Sequence, residues 1–373
     1  MVRRFSVLVK FHVITSSAMP PLRLSVLDQS PIHDGGTAAN APRDSTRLAQ
    51  ACDRQGYFRY WVAEHHDTAG YAGTCPEILV GHLANATKNI RVGSGGVMLP
   101  HYSPLKVAEV FHMLSSLHPG RIDLGVGRAP GADQRTSAAL AFPNPPTGSE
   151  TYARQVFDLA CLMDEGLSDE HPFAGIKAVP KPPSAPPLWL LGSGDGSAEF
   201  AGQMGAGFAL ALFIGTHERT PGILNKYRQS FTPTTRREAP EALLCVAVIC
   251  ADSEVAARRI ASTHTYWKVQ VFQHKNRIPL YPPDECLRLH EELSPQDKDY
   301  YDETMATNMV VGTPGQCREG IEKLIERYGV DEVMVVNVCY HFEDRLRSYA
   351  LLAEEFELGS EAPPNFGNRR SGF

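Results

Sequence analysis

The chain has 373 residues, of which 43% are hydrophobic and 21% charged, the balance of an ordinary globular protein that can bury a large core without covalent staples. Its net charge is −6 and its pI near 6.2; with the basic residues scattered rather than gathered into a stripe, this argues against a nucleic-acid partner. No stretch reaches the roughly twenty apolar residues that cross a bilayer, so a cytoplasmic protein without membrane contact is expected.

The eight cysteines, at 52, 75, 161, 245, 250, 286, 317 and 339, form no CxxC pair and no histidine-spaced ligand set, which predicts reduced thiols and no metal. In a strand, Cys245 and Cys250 lie an odd number of residues apart and would face opposite sides. Residues 1–20 stand apart from the rest. Met1-Val2-Arg3-Arg4 and a mildly apolar run at 5–14 have the outline of a weak signal peptide, but Lys10 and His12 interrupt it and no small-residue cleavage site follows. They read as an N-terminal extension or a start assigned upstream of Met19. A single domain is expected over 21–358, followed by a tail at 359–373.

From residue 22 onward, short apolar runs alternate with helical patterns. Residues 22–27 read as a strand and 43–55 as a helix stopped by Gly56. A second strand at 59–63 leads to a helix at 76–87 with Pro76 in its first turn. The third strand, 90–98, leads to a helix at 104–117 ended by His118-Pro119-Gly120, and the fourth strand follows at 121–126. A Pro/Gly-rich segment over 129–148 precedes a helix at 150–165. The second half keeps the rhythm: strand 188–191, helix 197–204, strand 207–212, helix 221–231, strand 243–250 and helix 253–266. A polar, aromatic-rich stretch over 268–308 interrupts it before helix 314–328, strand 332–336 and helix 345–356.

Eight strands alternating with helices predict parallel βαβ units, and strands without strict alternation fit a sheet buried on both faces. A closed (β/α)8 TIM barrel is favoured over an open doubly wound sheet, with 268–308 as an insertion after the seventh barrel unit. In a barrel the chemistry sits just beyond the C-terminal ends of the strands, and four strand ends here are unusual. After strand two comes Glu64-His65-His66-Asp67; a histidine there suits proton transfer near neutral pH, or one histidine caps Glu64 structurally. After strand three, Gly93-Ser94-Gly95-Gly96 implies either special backbone angles beneath a flat ligand or a simple bulge. After strand four, Arg128 stands among small residues, a planar fork suited to an anion. After strand five, Gly192-Ser193-Gly194-Asp195-Gly196-Ser197 runs straight into a helix, whose free N–H groups and positive end make a phosphate site. No acid follows about twenty residues on, so one phosphate fits better than a dinucleotide.

These four segments occur in the order found in the bacterial luciferase-like family of flavin and deazaflavin oxidoreductases. WVAEHH resembles that family's strand-two ending. SGGVMLPHYSP and PGRIDLGVGRAPG resemble its non-luminescent monooxygenase members, LWLLGSGDGSAEFAGQMG its phosphate loop, and VGTPGQCREGIEKLIERYGVDEVMV its final barrel quarter. The resemblance spans residues 22–356 and implies reduced FMN at the C-terminal mouth of the barrel. It makes His65 the catalytic histidine, Gly95 and Gly96 a pair joined by a non-prolyl cis peptide beneath the isoalloxazine ring, and Arg128, Ser193, Gly194 and Ser197 the phosphate-binding residues. Bacterial luciferase has a carboxylate where Ser193 stands and a reactive cysteine where Gly127 stands, so thiol chemistry is not expected here.

The implied reaction uses FMN reduced by a partner NAD(P)H:flavin reductase, with oxygen giving a flavin hydroperoxide that oxygenates a small-molecule substrate. Leu27, Met98, Phe213 and the insertion are expected to wall the pocket, which points to an apolar substrate such as a natural-product intermediate or a long-chain aldehyde. The insertion would serve as a lid or as a subunit interface of a homodimer. A deazaflavin-dependent dehydrogenase on the same barrel and a non-catalytic flavin-binding protein are the competing readings.

Overall fold

The computed structural model describes residues 22–359 apart from 34, 130, 147, 216 and 217; the N-terminal extension and nearly all of the tail lie outside them. The strands β1 (Arg23–Asp28), β2 (Arg59–Val62), β3 (Arg91–Met98), β4 (Ile122–Gly127), β5 (Leu188–Gly192), β6 (Gly207–Ala211) and β7 (Ala242–Cys250) each pair in parallel with the next. After the short β8 (Met309–Gly312), β9 (Glu332–Val336) lies between β7 and β1 and closes the ring. The result is an eight-strand parallel TIM barrel with helices outside. The sequence-derived strands match these within a residue or two; β8 is additional.

β8 exists because β7 is long enough to serve two neighbours. Its residues 244–247 pair with 333–336 of β9, and 247–250 pair with 309–312 of β8. Along the strands, alternate residues face the helices and the lumen. Val333 and Val335 pack in the outer core while Met334 and Val336 pack inside with Leu27 and Trp61. Cys245 and Cys250 separate in the same way, one inside and one outside; all eight cysteines are free.

Helix limits follow from local chemistry. α1 (Ala41–Gln55) ends at Gly56, whose φ of 88° suits a residue without Cβ. Thr313 and Gln316 form a reciprocal cap at the start of the helix Pro314–Tyr328, which stops at Gly329 with φ of 62°. Two segments carry more structure than their composition predicts. The Pro/Gly-rich stretch at 129–148 contains a helix, Gln134–Ala141, because the Asp133 side chain accepts the Thr136 N–H at 2.7 Å and starts it. The insertion holds a π-helical turn (Val269–Gln273) and two helices, Pro283–Glu291 and Pro295–Thr307. Tyr266, Val269, Cys286 and Tyr301 form its own small core, so most of its aromatic residues face each other.

The N-terminal end of the barrel is plugged by ions. Arg59, first residue of β2, donates to both carboxylate oxygens of Glu332 at 2.7 and 2.9 Å and to Asp123 at 3.1 Å. Asp123 also accepts from Trp61 Nε1 at 3.0 Å and from Arg91 at 2.5 Å. Arg59, Glu332 and Asp123 are each at most 3% exposed. Burial alone would raise the Asp123 carboxyl, but Arg91 and Arg59 outweigh it and hold it below the usual range. Removing one partner strands a buried charge. Arg59→Met is therefore expected to lower unfolding free energy by about 3–5 kcal/mol in urea titration. Arg23→Met, which breaks the half-exposed pair with Asp331, is expected to cost less than about 1 kcal/mol.

Candidate active site

With the bottom sealed, the interior opens at the C-terminal ends of the strands. A cavity of about 1040 Å³ lies there, large enough for a cofactor together with a substrate. His65, Gly95, Arg128, Ser193, Gly194 and Ser197 all line it. Gly96 does not; it adjoins Gly95 through a cis peptide. Leu27, Met98 and Phe213 also stand in its wall. Of the insertion, residues 268, 271, 272 and 275–278 reach it.

The two glycines answer to packing. A Cβ on Gly95 would lie 2.6 Å from Leu27 and 3.1 Å from Trp61, and one on Gly96 would lie 2.8 Å from the Gly125 carbonyl of β4. The close approach of the chain's own atoms thus requires glycine at both positions. Gly194 and Gly196 differ: a Cβ there meets nothing within 4 Å, so these residues border open space.

The end of β2 divides the two histidines. Glu64, 1% exposed, accepts the Met98 N–H at 2.8 Å, the Tyr102 hydroxyl at 2.7 Å and a hydrogen bond with His66 Nε2 at 2.7 Å. It ties the end of β2 to the end of β3 and takes His66 as its partner. His65 is held by its own N–H on the Gly73 carbonyl at 2.7 Å, and its ring lies 5.4 Å from Tyr71. Its Nδ1 is buried without a hydrogen-bond partner. Burial pushes the His65 imidazole down to about 4, against the opposing pull of Glu64, so it is neutral near neutral pH.

Arg128 is exposed at the mouth and makes no ion pair among the described residues. It follows β4, and the loop 192–197 follows the neighbouring β5. That loop opens the helix α6 (Asp195–Gln203), whose first N–H groups have no partner inside the helix. Ser197 Oγ donates to the Gly194 carbonyl at 2.7 Å and so fixes the loop's shape. Arg219 Nε donates to the Ser193 carbonyl at 3.2 Å, which sequence reasoning missed because Arg219 sits in a helix-entry loop with no motif of its own.

Glu64 and Asp67 also escaped individual roles in the sequence. The Asp67 carboxylate pairs with Arg277 of the insertion and accepts from Thr136. One residue thereby joins the β2 loop, the short helix after β4 and the insertion. Among the described residues no cluster of three or more histidine, cysteine or carboxylate side chains is arranged for a metal.

These features agree with what the chain is similar to. Residues 22–332 match the sequence model of the luciferase-like monooxygenases. A luciferase-like monooxygenase of Escherichia coli is 35% identical over 330 residues, covering 88% of this chain and 96% of its own. The oxygenase component of a flavin-dependent trigonelline monooxygenase from Acinetobacter baylyi is 27% identical, covering 81% and 84%. The crystal structure of apo-MsnO8 superposes with a TM-score of 0.80 at 38% identity, covering 90% of this chain and 99% of that one. The chain belongs to the luciferase-like monooxygenase family.

Proposed function

We propose that this protein is a two-component, FMN-dependent monooxygenase that binds flavin reduced by a separate NAD(P)H:flavin reductase and oxygenates a small organic substrate. The observation that carries this reading is the convergence of a lone arginine and a helix N-terminus on adjacent strand ends of a cavity otherwise rich in apolar wall. Arg128 and the first N–H groups of α6 would hold the terminal phosphate, a site for one phosphate and not two. The residues present fit the group: the side-chain-free positions 194 and 196 leave room beside the loop, and His65, whose Nδ1 is buried without a partner, is among the residues lining the same cavity. The E. coli and A. baylyi relatives, both named as monooxygenases, the latter as an oxygenase component, support the same assignment.

FMN, when bound and reduced, would supply the reaction with oxygen. The chain would supply position, dryness and proton handling. The Gly95–Gly96 segment offers a flat backbone wall beside Leu27. His65, neutral at working pH, would take up a proton as a transient imidazolium and return it. Tyr71, Trp267 and Phe272 stack edge-on along the wall, with centroids 4.9 and 6.1 Å apart, and would keep water from the reacting edge. The Asp67–Arg277 pair joins the insertion to the mouth, which favours the insertion as a cover.

Titration with FMN, read by flavin fluorescence, tests the reading, and undetectable binding of both oxidised and reduced FMN would sink it. Tighter binding of a deazaflavin in the same assay would redirect it to hydride transfer. Arg128→Ala is expected to weaken FMN binding about tenfold or more, the worth of a charge-assisted phosphate contact. Oxygen uptake should require the reductase or pre-reduced FMN, and NADH alone should give none.

His65→Gln is expected to lower kcat by about 10²–10⁴-fold. It also has a signature in stability. His65 titrates at about 4 in the fold and near 6.5 when unfolded, so between these values the unfolded chain binds the extra proton. Stability present above pH ~6.5 is therefore lost as pH falls toward 4. Buried His33, pushed down to about 3 by burial and then Arg345, acts with the same sign. The Gln variant should lose less stability than wild type over that window, measured by urea midpoints at its two ends.

A further inference from the structure

The wall opposite the glycine pair carries a second polar cluster that FMN binding does not use. β3 and β7 stand four places apart in the eight-strand ring, so α8 (Glu254–Lys268), which follows β7, enters the cavity across from Gly95. Its last residue, Lys268, is 2% exposed, and Nζ donates to the Phe213 carbonyl at 2.5 Å. An ammonium has three donors, so two remain. One turn back, His264 is 2% exposed with Nδ1 unpartnered, and the Trp267 indole N–H, on a residue 9% exposed, is unpartnered too. All three residues line the cavity.

Among the described residues no carboxylate faces Lys268. Burial, and then the like charge of Arg219, push its amine down to about 7. The four acids of the cavity wall are placed elsewhere. Glu64 is taken by Met98, Tyr102 and His66, and Asp67 by Arg277. Asp133 caps the helix after β4, and Asp195 begins α6. A buried cation without a counter-ion, an indole N–H without an acceptor and an imidazole nitrogen without a partner are each costly. Their gathering on one wall is completed by a single anion with two acceptor oxygens.

We propose that Lys268, His264 and Trp267 form a carboxylate subsite, and that the substrate is an amphipathic organic acid whose apolar part lies along Leu27, Phe213 and Val271. This narrows the expectation of a wholly apolar substrate, and it rests on the FMN reading because the flavin takes the other side of the cavity. One carboxylate matches the one cation in charge, and its oxygens match the two N–H donors that Lys268 Nζ keeps free.

Isothermal titration of octanoate and octanol against wild-type protein, Lys268→Met and Lys268→Arg near neutral pH tests the proposal, with urea midpoints as the check that each variant is folded. Wild type should bind octanoate about tenfold or more tightly than octanol, as a charge-assisted contact provides. Lys268→Met should abolish that preference chiefly by weakening octanoate, and Lys268→Arg should retain part of it. Equal binding of the two probes by wild type, or an undiminished preference in folded Lys268→Met, would overturn the proposal. FMN titration of the same samples separates the two readings. FMN binding without an octanoate preference removes only the carboxylate subsite, whereas an octanoate preference without FMN binding removes the flavin reading and leaves an acid-binding cavity.

Discussion

The barrel depends on the ion cluster at its lower end. Arg59 is the only described residue that bonds to both Glu332 and Asp123, and these lie at the starts of β9 and β4. One guanidinium thus links three strands that the chain delivers far apart in sequence. Its planar fork satisfies both oxygens of one carboxylate and one of another, which an ammonium could not do in the same geometry. Trp61 and Trp189 pack above it edge to face, with centroids 5.5 Å apart, and fill the lumen as far as the glycine pair. The lumen is therefore solid below and hollow above, and the hollow is where the side chains from the strand ends converge.

The upper end is organised by two further buried carboxylates. Asp28, at the end of β1, accepts from Arg345 at 2.7 Å, from the Tyr60 hydroxyl at 2.6 Å and from the Ser30 N–H at 2.7 Å. Glu64 does the same between β2 and β3. Each fixes a strand end and its loop to a neighbouring element, so the loops that bear His65 and Met98 leave the sheet in set directions. Neither acid needs to react. They are the supports on which a site of modest local stability can be held in one geometry.

Much of this was legible in the sequence because parallel barrels write their strands as short apolar runs and place polar groups directly after them. The Glu64–His65–His66 end, Arg128 and the 192–197 loop were found by that rule. The structure sorted alternatives that the residues had left open: His66, not His65, partners Glu64, and Gly95 and Gly96 are explained by the approach of Leu27, Trp61 and Gly125. Other features were hidden for physical reasons. The helix at Gln134–Ala141 depends on one aspartate cap inside a segment whose prolines and glycines announce a loop. The plug around Arg59 joins residues hundreds of positions apart, and nothing local marks a charge at a strand start as buried. Lys268 fell at the border between a helix read as ending at Tyr266 and a polar insertion and was assigned no role; two more residues of helix carry it to the cavity wall.

The forked pairing of β7 has a consequence for how such a protein can change. The ring uses residues 242–247 of β7, paired with β6 and β9, while everything from the start of α8 through β8 hangs from the strand's upper end. That upper module supplies Trp267, Lys268 and the 271–278 wall, yet it shares no ladder with β9 or β1. Its length and composition can drift, or be exchanged whole, without reopening the ring. The cavity wall that this module supplies is in this way held apart from the ladders that close the barrel, and becomes a replaceable part.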